Sequence, residues 1–408
     1  MMQVERTMRW ASAVSDSASL SEAIQHASEQ TLENLEGERA DVVMAFVSPH
    51  HSASYLSVPE LIRSQFGQVP FIGCSAGGVI GGGHEVERRP GVAITAAHLP
   101  GVKIKPFHLR QESMPTADAG PDEWETALGA PVAATPQLIL LPDPFSIDAE
   151  ALVAGLDFAY PGSIKVGGLA SGGRQPGENA LFMNERTWRS GATGLALSGN
   201  LRVETIVAQG CRPIGRPAVV TECEKNVIKR LGEATPLEVL RGLFEAADER
   251  DRGLIRRSLH VGVVMDPLSN SFAAGDFLIR NVIGADEDTG SLAIGERLRE
   301  GQVIQFHVRD AATATEDLAA VLDRYGRARG RRRPAGALLF SCQGRGQHLF
   351  GTVDHDTEMF ESMVASVPMA GFFCNGEIGP VGGSTFLHAY TSSFALFSPA
   401  APEPAAGR

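Results

Sequence analysis

The chain has 408 residues, 43% apolar and 21% charged, with 45 Gly and 24 Pro, an ordinary globular composition with room for two to four domains. Its 36 basic and 48 acidic side chains leave a net charge of −12, which speaks against binding nucleic acid or anionic lipid. The longest unbroken apolar run is about six residues (Val42 to Val47), against the roughly 20 a membrane span needs. Glu5, Arg6, Arg9 and Asp16 interrupt the start before an apolar leader can form, and five irregularly spaced Cys suit reduced thiols. These features predict a soluble, cytoplasmic, multi-domain α/β protein.

In chain order, Ser19-x-x-Glu22 opens a helix reaching about Asn34. An apolar strand from Asp41 follows, then a helix-like stretch, a short strand and the glycine cluster Gly73-Cys-Ser-Ala-Gly-Gly78. Strand-like segments at Gly91 to Thr95 and Val102 to Phe107 are joined by a turn and predict a hairpin. The polar stretch Glu112 to Asp122 reads as a loop. A second strand from Gln137 leads to the cluster Gly168-Leu-Ala-Ser-Gly-Gly173, and Gly194 to Ser198 with Val203 to Val207 predict a second hairpin. Thr235-Pro236-x-Glu238 carries the capping-box spacing for a helix through Leu243. Leu259 to Arg309 is β-rich, with strands at Val261 to Met265, Phe277 to Ile283 and Gln302 to Val308. Thr313-x-x-Glu316 opens a helix through Leu322, and the basic run Arg324 to Arg333 reads as a solvated connection. The third strand, Ala337 to Cys342, leads to Gly371-Phe-Phe-Cys-Asn-Gly-Glu377 and a strand at Thr385 to Tyr390, and the Ala/Pro tail after Ser398 reads as disordered.

The three strand–helix–strand–glycine segments share one plan, with about 31 to 34 residues from strand start to glycine cluster, the length of one βαβ unit. Phe46-Val-Ser-Pro-His50, Gly73-Cys-Ser-Ala-Gly77, His84-Glu-Val-Glu87, Gly167-Gly-Leu-Ala-Ser-Gly-Gly173 and Gln209-Gly-Cys-Arg-Pro-Ile-Gly215 resemble the FIST N-terminal module. Phe277 to Gly284, Phe306-His-Val-Arg-Asp310, Ser341-Cys-Gln-Gly-Arg-Gly346, Gly371 to Pro380 and Phe386 to Thr391 are similar to the FIST C-terminal module. The resemblance covers roughly residues 38 to 395. It implies a sensory protein binding a small ligand, an amino acid being the usual proposal, and acting through a separate signalling protein. It implies no output domain in the ~40 residues before or the ~13 after. The division expected is a lead-in helix region at 1–37, the two modules at 38–234 and 235–395, and a disordered tail at 396–408.

The candidate site residues come from the chemistry of the glycine loops, which follow strands, where α/β sheets tend to bind ligands. Closely spaced small residues let backbone N–H groups approach an anion. Cys74, Ser75 and Gly77 in the first cluster, Gly172 in the second, and Cys374, Asn375 and Glu377 in the third are therefore candidate ligand contacts, with tight-turn packing as the competing account. Cys74 and Cys374 fall in comparable loops and would flank one pocket or fill core. Cys342 ends a strand on the glycine-flanked turn Ser341-Cys-Gln-Gly-Arg-Gly346, beside Arg345. Arg345 suits a ligand carboxylate, with Glu85, Glu87 or Glu377 on its amino group; otherwise Arg345 pairs with Asp354 or Asp356. The rival functions are a Cys342 amidohydrolase or transferase with His348, His355 or His388 as base, and a protein-binding adaptor. No nucleotide-binding glycine spacing and no zinc-finger Cys/His set is present, so no cofactor and no metal are expected. The fold class expected is α/β, with mixed sheets in a two-lobed, duplicated layered architecture and glycine-rich loops after strands.

Overall fold

In each repeat the apolar strand, the helix and the second strand form one parallel βαβ unit, and their sequence explains why. Val42, Met44 and Phe46 of the first strand point into one core and Val43, Ala45 and Val47 into another, so both faces are buried and the run is continuously apolar. The computed structural model describes residues 7–266, 272, 275–330 and 332–400.

The chain opens with β1 (Arg9–Ser15) and α1 (Leu20–Asn34). The first repeat is β2 (Val42–Val47), α2 (Val58–Phe66), β3 (Phe71–Ser75), the hairpin β4 (Gly78–Gly81) and β5 (His84–Glu87), then β6 (Val92–His98). After β7 (Val102–Leu109) and α3 (Pro121–Leu128), the second repeat is β8 (Gln137–Pro142), α4 (Ala149–Ala159), β9 (Lys165–Gly168), the hairpin β10 (Leu181–Met183) and β11 (Arg186–Trp188), then β12 (Ala192–Gly199). There follow β13 (Arg202–Ala208), β14 (Arg212–Glu224), β15 (Val227–Leu231), α5 (Pro236–Ala246), α6 (Glu249–Arg257), β16 (Leu259–Val264), β17 (Phe277–Asp286), β18 (Ser291–Ile294), β19 (Val303–Val308) and α7 (Ala311–Arg329). The third repeat is β20 (Gly336–Cys342), α8 (Gln347–Phe350), α9 (His355–Met363), β21 (Met369–Cys374), the hairpin β22 (Glu377–Val381) and β23 (Ser384–His388), then β24 (Ser392–Ser398).

Two compact units result, one of residues 1–207, 321–387 and 391–408, the other of residues 208–320 and 388–390. The larger unit holds three six-stranded sheets of one topology: β1-β6-β2-β3-β10-β11, β7-β12-β8-β9-β22-β23 and β13-β24-β20-β21-β4-β5. Each sheet borrows its last two strands from another repeat. The hairpin of the first repeat completes the third sheet, that of the second completes the first, and that of the third completes the second. This closed three-way exchange leaves one gap in the plan, the edge that a strand after β24 would fill, and β1 occupies it. The inner faces of all three sheets share one core, to which Phe46, Leu141, Phe340 and Phe372 contribute, with α1 and α2 covering the first sheet and α3 and α4 the second. The mixed, layered and duplicated α/β architecture is thus present, and its three copies all lie within the larger unit. The smaller unit is a closed barrel, β14-β15-β18-β17-β16-β19, around Val220, Val261, Ile304 and Phe306.

Several local readings hold. Ser19 caps α1 by accepting the Glu22 N–H, and Thr235 and Glu238 form the reciprocal capping box of α5. Others need correction. The pairs β6/β7 and β12/β13 are not hairpins, because after each short turn the chain leaves for another sheet, β7 pairing with β12 and β13 joining β24. The hairpins come earlier, directly after the glycine clusters. The segment Thr385 to Tyr390 therefore overlaps β23, and the counterpart of β6 and β12 is β24. Asp310, not Thr313, caps α7 by accepting the Thr313 N–H at 2.8 Å, and the helix continues through the basic run to Arg329. There Arg329 bonds the Val364 carbonyl and Arg332 pairs with Glu204, while Arg331 lies outside the described residues. Residues 396–398, which the expected division places in the tail, belong to β24, and 401–408 lie outside the described residues.

Candidate functional site

Strand register aligns the three glycine clusters. Gly73, Gly167 and Gly371 lie opposite Ala45, Leu140 and Leu339. A Cβ at each would come within 2.0, 1.9 and 1.7 Å of the facing carbonyl oxygen, so only glycine fits. Counting on from these glycines, Cys374 corresponds to Ala76 and Ala170, whereas Cys74 corresponds to Phe372. The two cysteines are thus not duplicated positions. Both are fully buried in the shared core, and burial pushes both thiols up.

The clusters meet at the centre of the larger unit. Ser171 N–H donates to the Ser75 carbonyl (3.1 Å) and Asn375 N–H to the Leu169 carbonyl (3.2 Å). The third side of this triangle is made by a side chain: Gly77 N–H donates to Ser171 Oγ (2.8 Å), which donates to the Phe373 carbonyl (2.5 Å). Ser171 is fully buried, and in the sequence it hides in a run of small residues. Ser171→Ala leaves a donor and an acceptor unpaired at this junction and should cost about 1–3 kcal/mol, read as a lower urea midpoint. A midpoint unchanged from the parent would show that the hydroxyl bridge carries nothing.

At three equivalent strand ends, Ser48, Asp143 and Cys342 each donate their N–H to a carbonyl of the neighbouring strand's start, at Gly91, Gly191 and Thr391. The third of these ends sits in a dense polar cluster. Arg345 is fully buried and grips Asp356 with both ends of its guanidinium, Nε–Oδ2 at 2.8 Å and Nη2–Oδ1 at 2.9 Å. His355 Nδ1 approaches Asp356 Oδ1 at 2.9 Å with its ring stacked on Phe350, and Ser341 and Ser392 donate to Asp356 Oδ2. Burial alone would raise the Asp356 carboxyl, but the Arg345 charge and these hydrogen bonds hold it well below the usual carboxylate range.

Two further carboxyls bracket this pair. Glu85, from the β4–β5 hairpin, accepts the Asp356 and Thr357 N–H groups, each at 3.1 Å, at the start of α9. Burial, and then the Asp356 charge, push it up to about 8. Glu377 accepts the Thr391 N–H (3.1 Å) and hydroxyl (2.6 Å) and lies 3.4 Å from Cys374 Sγ; burial raises it to about 7. Arg345 and Glu377, expected as ligand contacts, are thus fully buried among protein partners, the pairing with Asp356 that the sequence left open for Arg345. Ser75 is also buried, its Oγ accepting the Ala180 N–H.

Beside this cluster lies a cavity of about 300 Å³ lined by Gly77, Gly78, Glu87, Arg88, Gln343, His348 and Phe373. Glu87 accepts the Gln347 N–H at 2.8 Å, Arg88 Nη2 stands 3.5 Å from His348 Nδ1, and Gln343 bonds Asn375. A Cβ at Gly77 would fall 2.2 Å from the Gln343 amide oxygen, so a larger residue there would displace the Gln343 side chain. Gly172 packs against Ala76 and Pro49. Of the residues expected, Gly77 lines the cavity and Asn375 touches its wall; Cys342, partly exposed, immediately precedes Gln343. Nothing in the sequence marks Arg88 or Gln343 as a contact, and His348 enters there only as a candidate base for Cys342. Arg88 follows the alternating Glu85 and Glu87 and sits in the left-handed region (φ 56°), which no sequence pattern announces. Two larger grooves, of about 570 and 920 Å³, meet near Trp188, away from these groups.

A mixed α/β unit of three exchanged sheets with glycine loops at its centre, together with a second unit that is a small barrel, defines the class. The chain belongs to the FIST family: the FIST N domain matches residues 41–234 and the FIST C domain residues 236–380. It is 37% identical over 397 residues to an uncharacterized protein of Mycobacterium tuberculosis, spanning 96% of this chain and all of that one. It is 36% identical over 383 residues to an uncharacterized Mycobacterium bovis protein, spanning 92% and 95% of the two. An F-box/LRR-repeat protein of Arabidopsis thaliana is 21% identical over 360 residues, spanning 75% of this chain and 67% of that protein. Among solved structures, a cyanuric acid hydrolase from A. caulinodans aligns over 96% of this chain and 99% of its own at 9% identity, with a TM-score of 0.35. FIST domains are associated with sensory signal transduction. No helix among the described residues is long and apolar enough to cross a membrane.

Proposed function

We propose that this protein is a cytoplasmic sensory module that binds a small zwitterionic ligand, of amino-acid type, in the cavity beside the glycine loops, and acts on a signalling partner. The observation that carries the reading is the pairing of opposite charges on one small wall: Glu87 and Arg88 stand side by side with the Gln343 amide and two glycines. A guanidinium binds a carboxylate and a carboxylate binds an ammonium, while the glycines let the ligand approach the backbone. A volume of about 300 Å³ suits a ligand of that size. This arrangement takes over the roles the sequence suggested for Arg345 and Glu377, whose charged groups are already engaged.

A thermal-shift screen of amino acids and related carboxylates tests it. A ligand at 100 times its Kd adds about 2.7 kcal/mol of stability. A reproducible shift that disappears in Arg88→Ala and weakens in Glu87→Gln is expected. A panel without any shift, or one whose shift survives both substitutions, would overturn the reading.

A further inference from the structure

Cys342 and Cys374 form the last directly opposed pair of the parallel β20–β21 ladder. Residues opposed on neighbouring strands lie about 4.8 Å apart, inside the roughly 4.4–6.8 Å Cα window of disulfides. Side chains alternate along a strand, so Cys342 projects with Leu338 and Phe340, and Cys374 with Ala370 and Phe372, toward the same core face. The two thiols also feel each other, since ionising Cys342 pushes the Cys374 thiol further up. Their surroundings differ in a way that assigns roles. Cys342 is partly exposed, whereas Cys374 is fully buried with its Sγ 3.4 Å from Glu377 Oε1. Being at the strand ends, the pair can close without breaking the ladder behind it.

We propose that Cys342 and Cys374 are a reversible dithiol–disulfide pair, with Cys342 the thiol that meets a hydroperoxide and Cys374 the one that resolves it. Cys342 sulfur attacks one oxygen of hydrogen peroxide; the O–O bond breaks, the departing hydroxide takes the Cys342 thiol proton and leaves as water, and Cys342 becomes a sulfenic acid. Cys374 sulfur then attacks Cys342 sulfur as its proton passes to Glu377; the S–O bond breaks, and the departing hydroxide takes that proton as a second water. In sum, two thiols are oxidised to one disulfide and one hydrogen peroxide is reduced to two waters. Glu377 is a positioning and proton-accepting group here. The next residue after Cys342, Gln343, donates its N–H to the Cys374 carbonyl at 3.1 Å and lines the cavity, so closing the pair tightens that wall.

The full-length protein is treated with hydrogen peroxide, quenched with iodoacetamide, and mapped by mass spectrometry without reduction. The expected product is a monomer in which the Cys342 and Cys374 peptides are joined, with Cys74, Cys211 and Cys223 still alkylated after unfolding, and dithiothreitol restores all five thiols. Cys374→Ser should instead trap Cys342 as a dimedone-reactive sulfenic acid, and Glu377→Gln should slow closure several-fold without changing the rate at which Cys342 is first oxidised. Accumulation of sulfinic acid on Cys342 in the parent, with Cys374 still free to alkylate, would overturn the proposal. So would a disulfide-linked dimer as the main product.

Discussion

Arg345→Ala is expected to destabilise the protein by about 3–5 kcal/mol, the usual consequence of removing one member of a buried ion pair. Arg345 and Asp356 are both essentially inaccessible to solvent, and the guanidinium supplies two of the hydrogen bonds that keep Asp356 ionised. With Arg345 gone, the Asp356 carboxylate either stays charged, buried and without a counter-charge as close, or takes a proton and weakens its hold on His355, Ser341 and Ser392. The loss should therefore be larger at pH 8 than at pH 5. A double-mutant cycle with Asp356→Asn separates the pair from the packing of each side chain. The Arg345→Ala/Asp356→Asn protein should be more stable than the sum of the single losses predicts. Urea melts of the four proteins decide the matter. A single-mutant loss under 1 kcal/mol, or strict additivity in the cycle, would mean that the ion pair is not what organises this strand end.

That pair also shows where sequence reasoning ends. The strands were legible because β2, β8 and β20 are buried on both faces, which forces unbroken apolar runs, and the βαβ repeats followed from those runs and the glycine clusters. Partner choice was not legible. A strand that alternates inward and outward residues has the same pattern whether it folds back on its neighbour, as β5 does on β4, or crosses to another sheet, as β7 does after β6. At the site, the glycine loops could be placed, since Gly73, Gly167 and Gly371 are demanded by facing carbonyls. The engagement of charges could not. Arg345 had two acids within reach in sequence, and Glu85 comes to α9 across 271 residues of chain. Ser171 is chemically unremarkable until its hydroxyl is seen bridging two repeats.

Between pH 7 and 8 the protein should lose stability as pH rises, by about 1.4 kcal/mol per pH unit at most for one group that stays protonated only when folded. Glu85 is that group. It titrates near 4.5 when exposed and is pushed up to about 8 in the fold by burial, then by Asp356, with Glu87 and Asp354 adding to the repulsion and the Thr357 N–H opposing it. Over this interval the native state binds more protons than the unfolded chain, so the slope is negative. Its stabilising contribution is complete below the unfolded value near 4.5 and is gone above about 8. Glu377, raised to about 7, adds the same sign over the lower part of the window. Asp356 acts oppositely, but only in acid: its contribution is present above its unfolded value of 3.8 and is lost as pH falls. The buried His260 and His307, lowered to about 4, increase stability as pH rises from 4, and with His51 and His108, which are also lowered, they oppose the glutamates with a slope that fades as the unfolded imidazoles lose their protons above 6.5. Comparing each variant with the parent cancels that common slope and the share of Glu87, which is also raised. Glu85→Gln keeps a carbonyl for the Asp356 and Thr357 N–H groups while removing the titration, so its urea midpoint should fall less than the parent's from pH 7 to 8. Glu377→Gln should flatten only the portion near pH 7. If the parent and Glu85→Gln proteins fall in parallel across this range, Glu85 is not held protonated by its site, and the β4–β5 hairpin clamps α9 as a charged group.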